Sequence, residues 1–206
     1  LLKTLEEAPA RVILLLTVDS PEDVLPTIAS RCEVLRLRAL PVPAAAARLQ
    51  QHWQMDAAQA DLLAHISGGR LGYALRLAGD KDLRETREAL LDDLLRLLDA
   101  PIRERFAYAE KKSKVRGGAR EEREAVRAEL RLLFSLWLGL WRDVLLRSAG
   151  ASAPLTNVDY HQQVDNLAVR FEPAAVRARM RTLEAALARL PNANLQLMLE
   201  NLLLEM

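Results

Sequence analysis

Three features of this sequence predict a mainly α fold, opened by a short α/β remnant. Leu, Ala, Arg and Glu crowd the chain while aromatics make up only 4%, and those residues favour helix. From position 81 onward apolar residues recur at spacings of three and four, the signature of one buried helix face. The continuously apolar, β-branched run of residues 12–18 lies at the front and reads instead as a buried strand of a parallel sheet. With 206 residues, half of them hydrophobic, the chain can bury one large core or two to three small ones.

The elements follow in order. Residues 1–8 read as the end of a helix, stopped because Pro9 disfavours helical geometry in its predecessor. Ser20-Pro21-Glu22 sets a capping hydroxyl, a proline at the first helical position and an acid at the positive dipole end, which predicts a weak helix to about Pro26. A second short turn carries Ser30 and Arg31, and the alternation over 33–38 predicts a final strand. Ala39-Leu40-Pro41-Val42-Pro43 is the first boundary. Three helices are predicted at 43–54, 56–66 and 70–79, with Asp56 as a cap and Gly68-Gly69 as a break. Gly79-Asp80 closes that group.

A long helix is marked by Leu83, Leu90, Leu94, Leu97 and Leu98 and ends near Pro101. After a break at Gly117-Gly118, residues Val126, Leu130, Leu133, Trp137, Leu140 and Val144 form a seam, which Leu132, Phe134, Leu136 and Trp141 widen. Residues 149–157 read as a loop. Helices at 158–168, 173–190 and 192–204 complete the chain, with Pro191-Asn192 as turn and cap. The expected domains are a core remnant over 1–39, a three-helix lid over 40–80 and a helical collar over 81–206.

Composition narrows the function classes. A formal net charge of +1 gives no general argument for nucleic-acid or membrane binding. One cysteine excludes an internal disulfide framework and a Cys-rich zinc site, and fits a reducing cytoplasm, the expected location. No run of 18 or so apolar residues suggests a membrane span. The chain opens at Leu1 inside a helical pattern, without an initiator methionine, as expected of a piece of a longer protein.

The run ending in Leu25-Pro26-Thr27-Ile28-Ala29-Ser30-Arg31-Cys32 resembles the second half of the AAA+ core in clamp-loader subunits of DNA polymerase. Ser67-Gly68-Gly69-Arg70-Leu71-Gly72-Tyr73-Ala74-Leu75 is similar to the motif that carries the sensor-2 arginine in ATP-hydrolysing members. Here Gly72 stands at that arginine's position, and Arg70 lies on another helical face. This departure resembles the delta-prime type of bacterial DNA polymerase III subunit. The Trp137–Leu146 stretch with Arg142-Asp143, then Asn157-Val158-Asp159 and residues 192–200, are also similar to that type.

The resemblance implies a pentameric, ATP-driven machine of DNA replication that opens a sliding clamp and places it on primed DNA. It implies gamma/tau and delta subunits as partners, with ATP and magnesium held by neighbours and no cofactor in this chain. Arg31 would be an arginine finger given in trans to a neighbour's ATP site. Ser30 and Cys32 support the motif, as a local cap and a small buried hydrophobe, and Thr17 occupies the sensor-1 position. A truncated gamma/tau-type ATPase subunit is the alternative, against which Gly72 argues. A helical adaptor unrelated to replication is a third reading.

Other candidates are weaker. His52, His65 and His161 share no metal-ligand spacing, and Glu6 and Glu7 are adjacent on a helix and point apart. Lys111, Lys112, Lys114, Arg116 and Arg120 read as a solvated interhelical loop rather than a DNA-facing patch, which would bring more than Tyr108 in aromatics. The Trp137/Trp141 stripe reads as core, shared or not with a partner. No polymerase or ATPase centre is legible in these residues.

Overall fold

The structure is a computed structural model that describes residues 11–18, 21–115 and 120–206. The fold is mainly α: ten α-helices and no strand among the described residues. No described helix is long and apolar enough to cross a membrane. The expected helix over 1–8, Ser20, the Glu6-Glu7 pair, Arg116 and the Gly117-Gly118 break lie outside the described residues. The chain divides into two compact units, one running to Arg38 and one over Ala39–Met206.

In the first unit a 3-10 turn, Pro21–Asp23, precedes the single-turn helix α1, Pro26–Ala29. The expected helix to Pro26 is therefore two separate turns. Pro26 ends the first because it donates no backbone N–H, and starts the second, where that donor is not needed. The runs 12–18 and 33–38, expected as strands, carry no ladder among the described residues. A strand is a pairing rather than a conformation, so an apolar run without a hydrogen-bonded neighbour stays single. Ile13, Leu15 and Leu37 are accordingly exposed rather than buried.

The second unit begins with three short helices: α2 (Val42–Trp53), α3 (Ala57–Ile66) and α4 (Leu71–Gly79). Gln54, in the left-handed region at φ 54°, ends α2, and the Asp56 carboxylate caps α3 by accepting from the Gln59 N–H at 2.9 Å. Ala45, Ala46, Leu49, Ala60, Leu63, Ala64, Ala74 and Leu77 close a core of their own, mostly alanine, so the helices approach closely.

The linker is stitched to this group at Gly69. The Leu40 N–H donates to the Gly69 carbonyl at 3.0 Å, and Gly69 sits at φ +77°. A Cβ there would fall 1.8 Å from the Leu40 carbonyl oxygen. Gly69→Ala is expected to cost about 2 kcal/mol, the sum of left-handed strain and one lost hydrogen bond. A thermal melt checks the cost, and faster hydrogen exchange at the Leu40 amide would locate it.

Six further helices build the main core: α5 (Lys81–Asp99), α6 (Ile102–Ser113), α7 (Arg120–Ser148), α8 (His161–Arg170), α9 (Pro173–Arg189) and α10 (Leu195–Leu204). The Asp80 carboxylate caps α5 by accepting from Leu83 N–H at 2.9 Å. Helix α7 is the spine, packed by α5, α8 and α9, while α10 packs on α6. Its seam is buried as the spacing predicts, with Phe134, Trp137 and Trp141 fully enclosed and Val126 only partly. Each such side chain contributes about 1.5–3 kcal/mol by leaving water. The Trp137 indole N–H donates to the Leu90 carbonyl at 2.8 Å, whereas the buried Trp141 indole N–H meets no acceptor among the described residues.

Arginines close the helix ends. Arg84 donates to the Leu77 and Ala78 carbonyls at the end of α4. Arg105 gathers the Leu98, Ala100 and Leu203 carbonyls, tying the ends of α5 and α10 together. Two local expectations are corrected. Asn194 rather than Asn192 caps the last helix, accepting from Leu197 N–H at 3.1 Å, because the chain needs two further residues to turn after Pro191. Lys111 and Lys112 belong to the last turn of α6 rather than to a loop, where cations meet the negative end of the helix dipole.

Candidate functional site

Arg31 follows the C-cap residue of α1, Ser30, whose backbone N–H donates to the Pro26 carbonyl at 2.9 Å, while the Arg31 N–H donates to the Ile28 carbonyl at 3.0 Å. The Arg31 side chain is exposed and its Nη1 donates to the Thr27 carbonyl at 2.9 Å, folding the guanidinium back over its own helix. The Ser30 hydroxyl donates to the same carbonyl at 3.4 Å. An exposed bond of this kind contributes about 0.5–1.5 kcal/mol, less than a charge-assisted bond to a phosphate. A planar fork of donors at a helix end can stabilise charge on a phosphoryl oxygen.

Thr17 is exposed at the end of the apolar run. It and Cys32 line one cleft of about 570 Å³, together with Ile28 and Ala29 of α1. Arg31 is not among the residues lining it. Cys32 is half-buried, where burial was expected, because one side of it opens into that cleft.

Gly72 lies exposed in the first turn of α4, and a Cβ there would meet nothing within 4 Å. The position has room for a long side chain and presents none. Arg70 is the residue just before α4, with Nη1 3.4 Å from the Ser67 carbonyl, so it completes the turn after α3.

The main core brings Arg142-Asp143 and Asn157-Val158-Asp159 together around Arg87 of α5. Asp143 is fully buried, and its carboxylate accepts from the Thr156 N–H at 3.0 Å, the Asn157 N–H at 2.7 Å and the Asn157 side-chain amide at 2.9 Å. The Asn157 amide oxygen accepts from Arg87 at 2.6 Å, and Asp159 accepts from both arms of Arg87, at 2.6 and 3.1 Å. Arg142 reaches Asp143 from the exposed side at 3.2 Å. Asp159, Arg87, Asn157 and Asp143 thus form one chain of bonds that pins residues 156–159 onto α5 and α7.

The same segment reaches the small three-helix group. His65 of α3 hydrogen-bonds the Leu155 carbonyl through Nδ1 at 2.6 Å, so that nitrogen carries the proton. Beside Arg87, the Tyr160 hydroxyl donates to Asp92 at 2.9 Å; burial, then that bond, pushes its pKa above the ordinary value. Burial likewise raises Tyr108, which stacks on Trp137. Burial, then the charges of Arg170 and Arg105, lowers Arg179, which lies over Phe171 at 4.4 Å and Trp141 at 5.4 Å. Arg170 holds the exposed Asp99 carboxyl below its usual range through a hydrogen bond.

The remaining candidates stay apart. His52 meets Arg48 at 3.1 Å and His161 the Val158 carbonyl. Among the described residues no group of three His, Cys, Asp or Glu is placed to hold a metal. Lys112 lies over the Tyr108 ring at 5.7 Å, and Lys111 and Lys114 are exposed. Sequence reasoning missed Arg87. Its signal was visible: it occupies the seam position between Leu83 and Leu90, where a leucine would otherwise stand.

Comparison with known proteins bears on both ends of the chain. A family model described as DNA polymerase III, delta subunit, matches residues 1–41. A second, described as DNA polymerase III, delta subunit, C terminal, matches residues 127–206. The chain is 39% identical over 109 residues to DNA polymerase III subunit delta' of Pseudomonas aeruginosa. That match covers 50% of this chain and 31% of the relative, so the chain spans about a third of that relative's length.

Proposed function

Because the chain belongs to the family of DNA polymerase III delta-type subunits, we propose that it is part of a delta-prime clamp-loader subunit that completes a neighbour's ATP site. The observation that carries this reading is the order of matches, with a delta-subunit segment over residues 1–41 that includes Arg31 and a delta C-terminal segment covering α8 to α10 and most of α7. We read residues 1–39 as the end of an AAA+ core, 40–80 as its lid and 81–206 as the collar through which a pentamer assembles. Arg31, exposed at the end of α1, is the trans arginine finger, and Thr17 occupies the sensor-1 position.

Two features support an assisting role rather than catalysis by this chain. Gly72 offers no cation to a nucleotide. The buried Asp143–Asn157–Arg87–Asp159 chain and the His65–Leu155 bond hold the lid on the collar, which suits a subunit that presents an arginine to a moving neighbour. ATP and magnesium belong to the neighbouring gamma/tau subunits, and the sliding clamp and primed DNA are met through the assembled complex.

The test is light-scattering mass on a sizing column, with this chain mixed with the gamma/tau and delta subunits. Co-elution as a larger complex is expected. Separate elution of a chain shown by circular dichroism to be helical would sink the reading.

A further inference from the structure

Helices α9 and α10 follow one another across a tight turn but pack mainly on different neighbours, α9 on α7 and α10 on α6. An open cleft of about 620 Å³ is left between them. Its floor is apolar, with Ala186 and Leu202 buried beneath it. Its rim on α10 is apolar yet exposed, with Leu197 and Leu204 55% and 51% exposed, while its rim on α9 sets exposed Ala185 between Arg181 and Arg189. The two leucines are seven residues apart, about two turns, so they repeat along one face of α10. An apolar repeat of that spacing beside an open cleft is a surface on which the apolar stripe of a third helix can lie.

Charge narrows the occupant. The outer face of α9 exposes Arg177, Arg181 and Arg189 against Glu184, and Arg181 and Arg189 line the cleft itself. The carboxylate at its far end, Glu205, already accepts from the Thr182 hydroxyl at 2.6 Å. A second copy docking by the same face would set arginines against arginines. We propose that this cleft receives an amphipathic helix of a neighbouring clamp-loader subunit, its apolar stripe flanked by acidic residues about two turns apart. The inference rests on the clamp-loader reading above.

The experiment uses the full-length subunit, titrated with the gamma/tau and delta subunits and followed by light scattering. The variants are Leu197→Asp with Leu204→Asp, and Arg181→Glu with Arg189→Glu. The leucine pair is expected to weaken association at least about tenfold. Its melting temperature stays unchanged, since both side chains are already more than half exposed. The arginine pair is expected to weaken association and to flatten its dependence on salt. Wild-type affinity in both variants overturns the proposal while leaving the clamp-loader reading intact. A homodimer of the subunit alone that the leucine pair abolishes also overturns it, because the occupant is then a second copy. Failure of the unaltered subunit to associate overturns the clamp-loader reading, and the proposed partner with it.

Discussion

On the proposed arginine-finger role, replacing Arg31 with alanine in the full-length subunit is expected to slow ATP hydrolysis at a neighbouring subunit's site by about 10³ to 10⁵. Arg31→Lys is expected to restore little. An ammonium carries the charge but lacks the planar fork that bonds two phosphoryl oxygens at once. Because Arg31 is exposed, neither change should alter the fold or the mass of the assembled complex. Nucleotide binding to the neighbour is expected to persist, since a group that acts on transition-state charge is felt in turnover more than in the ground state. Single-turnover hydrolysis in reconstituted complexes measures this directly. A wild-type rate with Arg31→Ala would remove the arginine-finger role and leave Arg31 as a capping residue over the Thr27 carbonyl.

Arg87→Met is expected to be the most damaging single change to the main core. Arg87 is 4% exposed and holds Asp159 by two bonds and Asn157 by a third. Methionine replaces much of the stem but leaves the Asp159 carboxylate and the Asn157 amide oxygen without their donors. Breaking one side of a buried pair costs about 3–5 kcal/mol. The lower end applies here, because the Asp159 side chain is 24% exposed and water can partly replace the lost bonds. For a unit of this size about 3 kcal/mol lowers the melting temperature by about 6–12 °C. Asp159→Asn, which keeps an acceptor oxygen, is expected to cost less, and the two changes together less than their sum. A shift within about 2 °C for Arg87→Met would show that the network adds little stability.

Much of the helical architecture is legible in the sequence because its signals are local. Asp56 announces its helix by a carboxylate three residues ahead of an orphan N–H, and the α7 seam by the 4, 3, 4, 3, 4 spacing from Val126 to Val144. Gly72 is legible as a missing arginine only through resemblance to a motif, since nothing in composition says what should stand there. Arg87 is harder. A charge on an apolar seam signals that something compensates it, but its partners, Asn157 and Asp159, lie 70 and 72 residues away.

The sequence alone determined most of the helical segments, the cap at Asp56, and that the front segment carries an arginine at a helix end. Those features depend on neighbours within about one turn, so the chain states them wherever it is read. Only the tertiary structure decided which polar groups meet around Asp143, that His65 touches residues near 155, and that α9 and α10 leave a cleft with arginines on one rim. It also decided that the runs 12–18 and 33–38 carry no strand ladder among the described residues. Apolar pattern can nominate a strand or a core face, but hydrogen bonds and packing are contacts between distant residues, and their geometry exists only once the chain has folded.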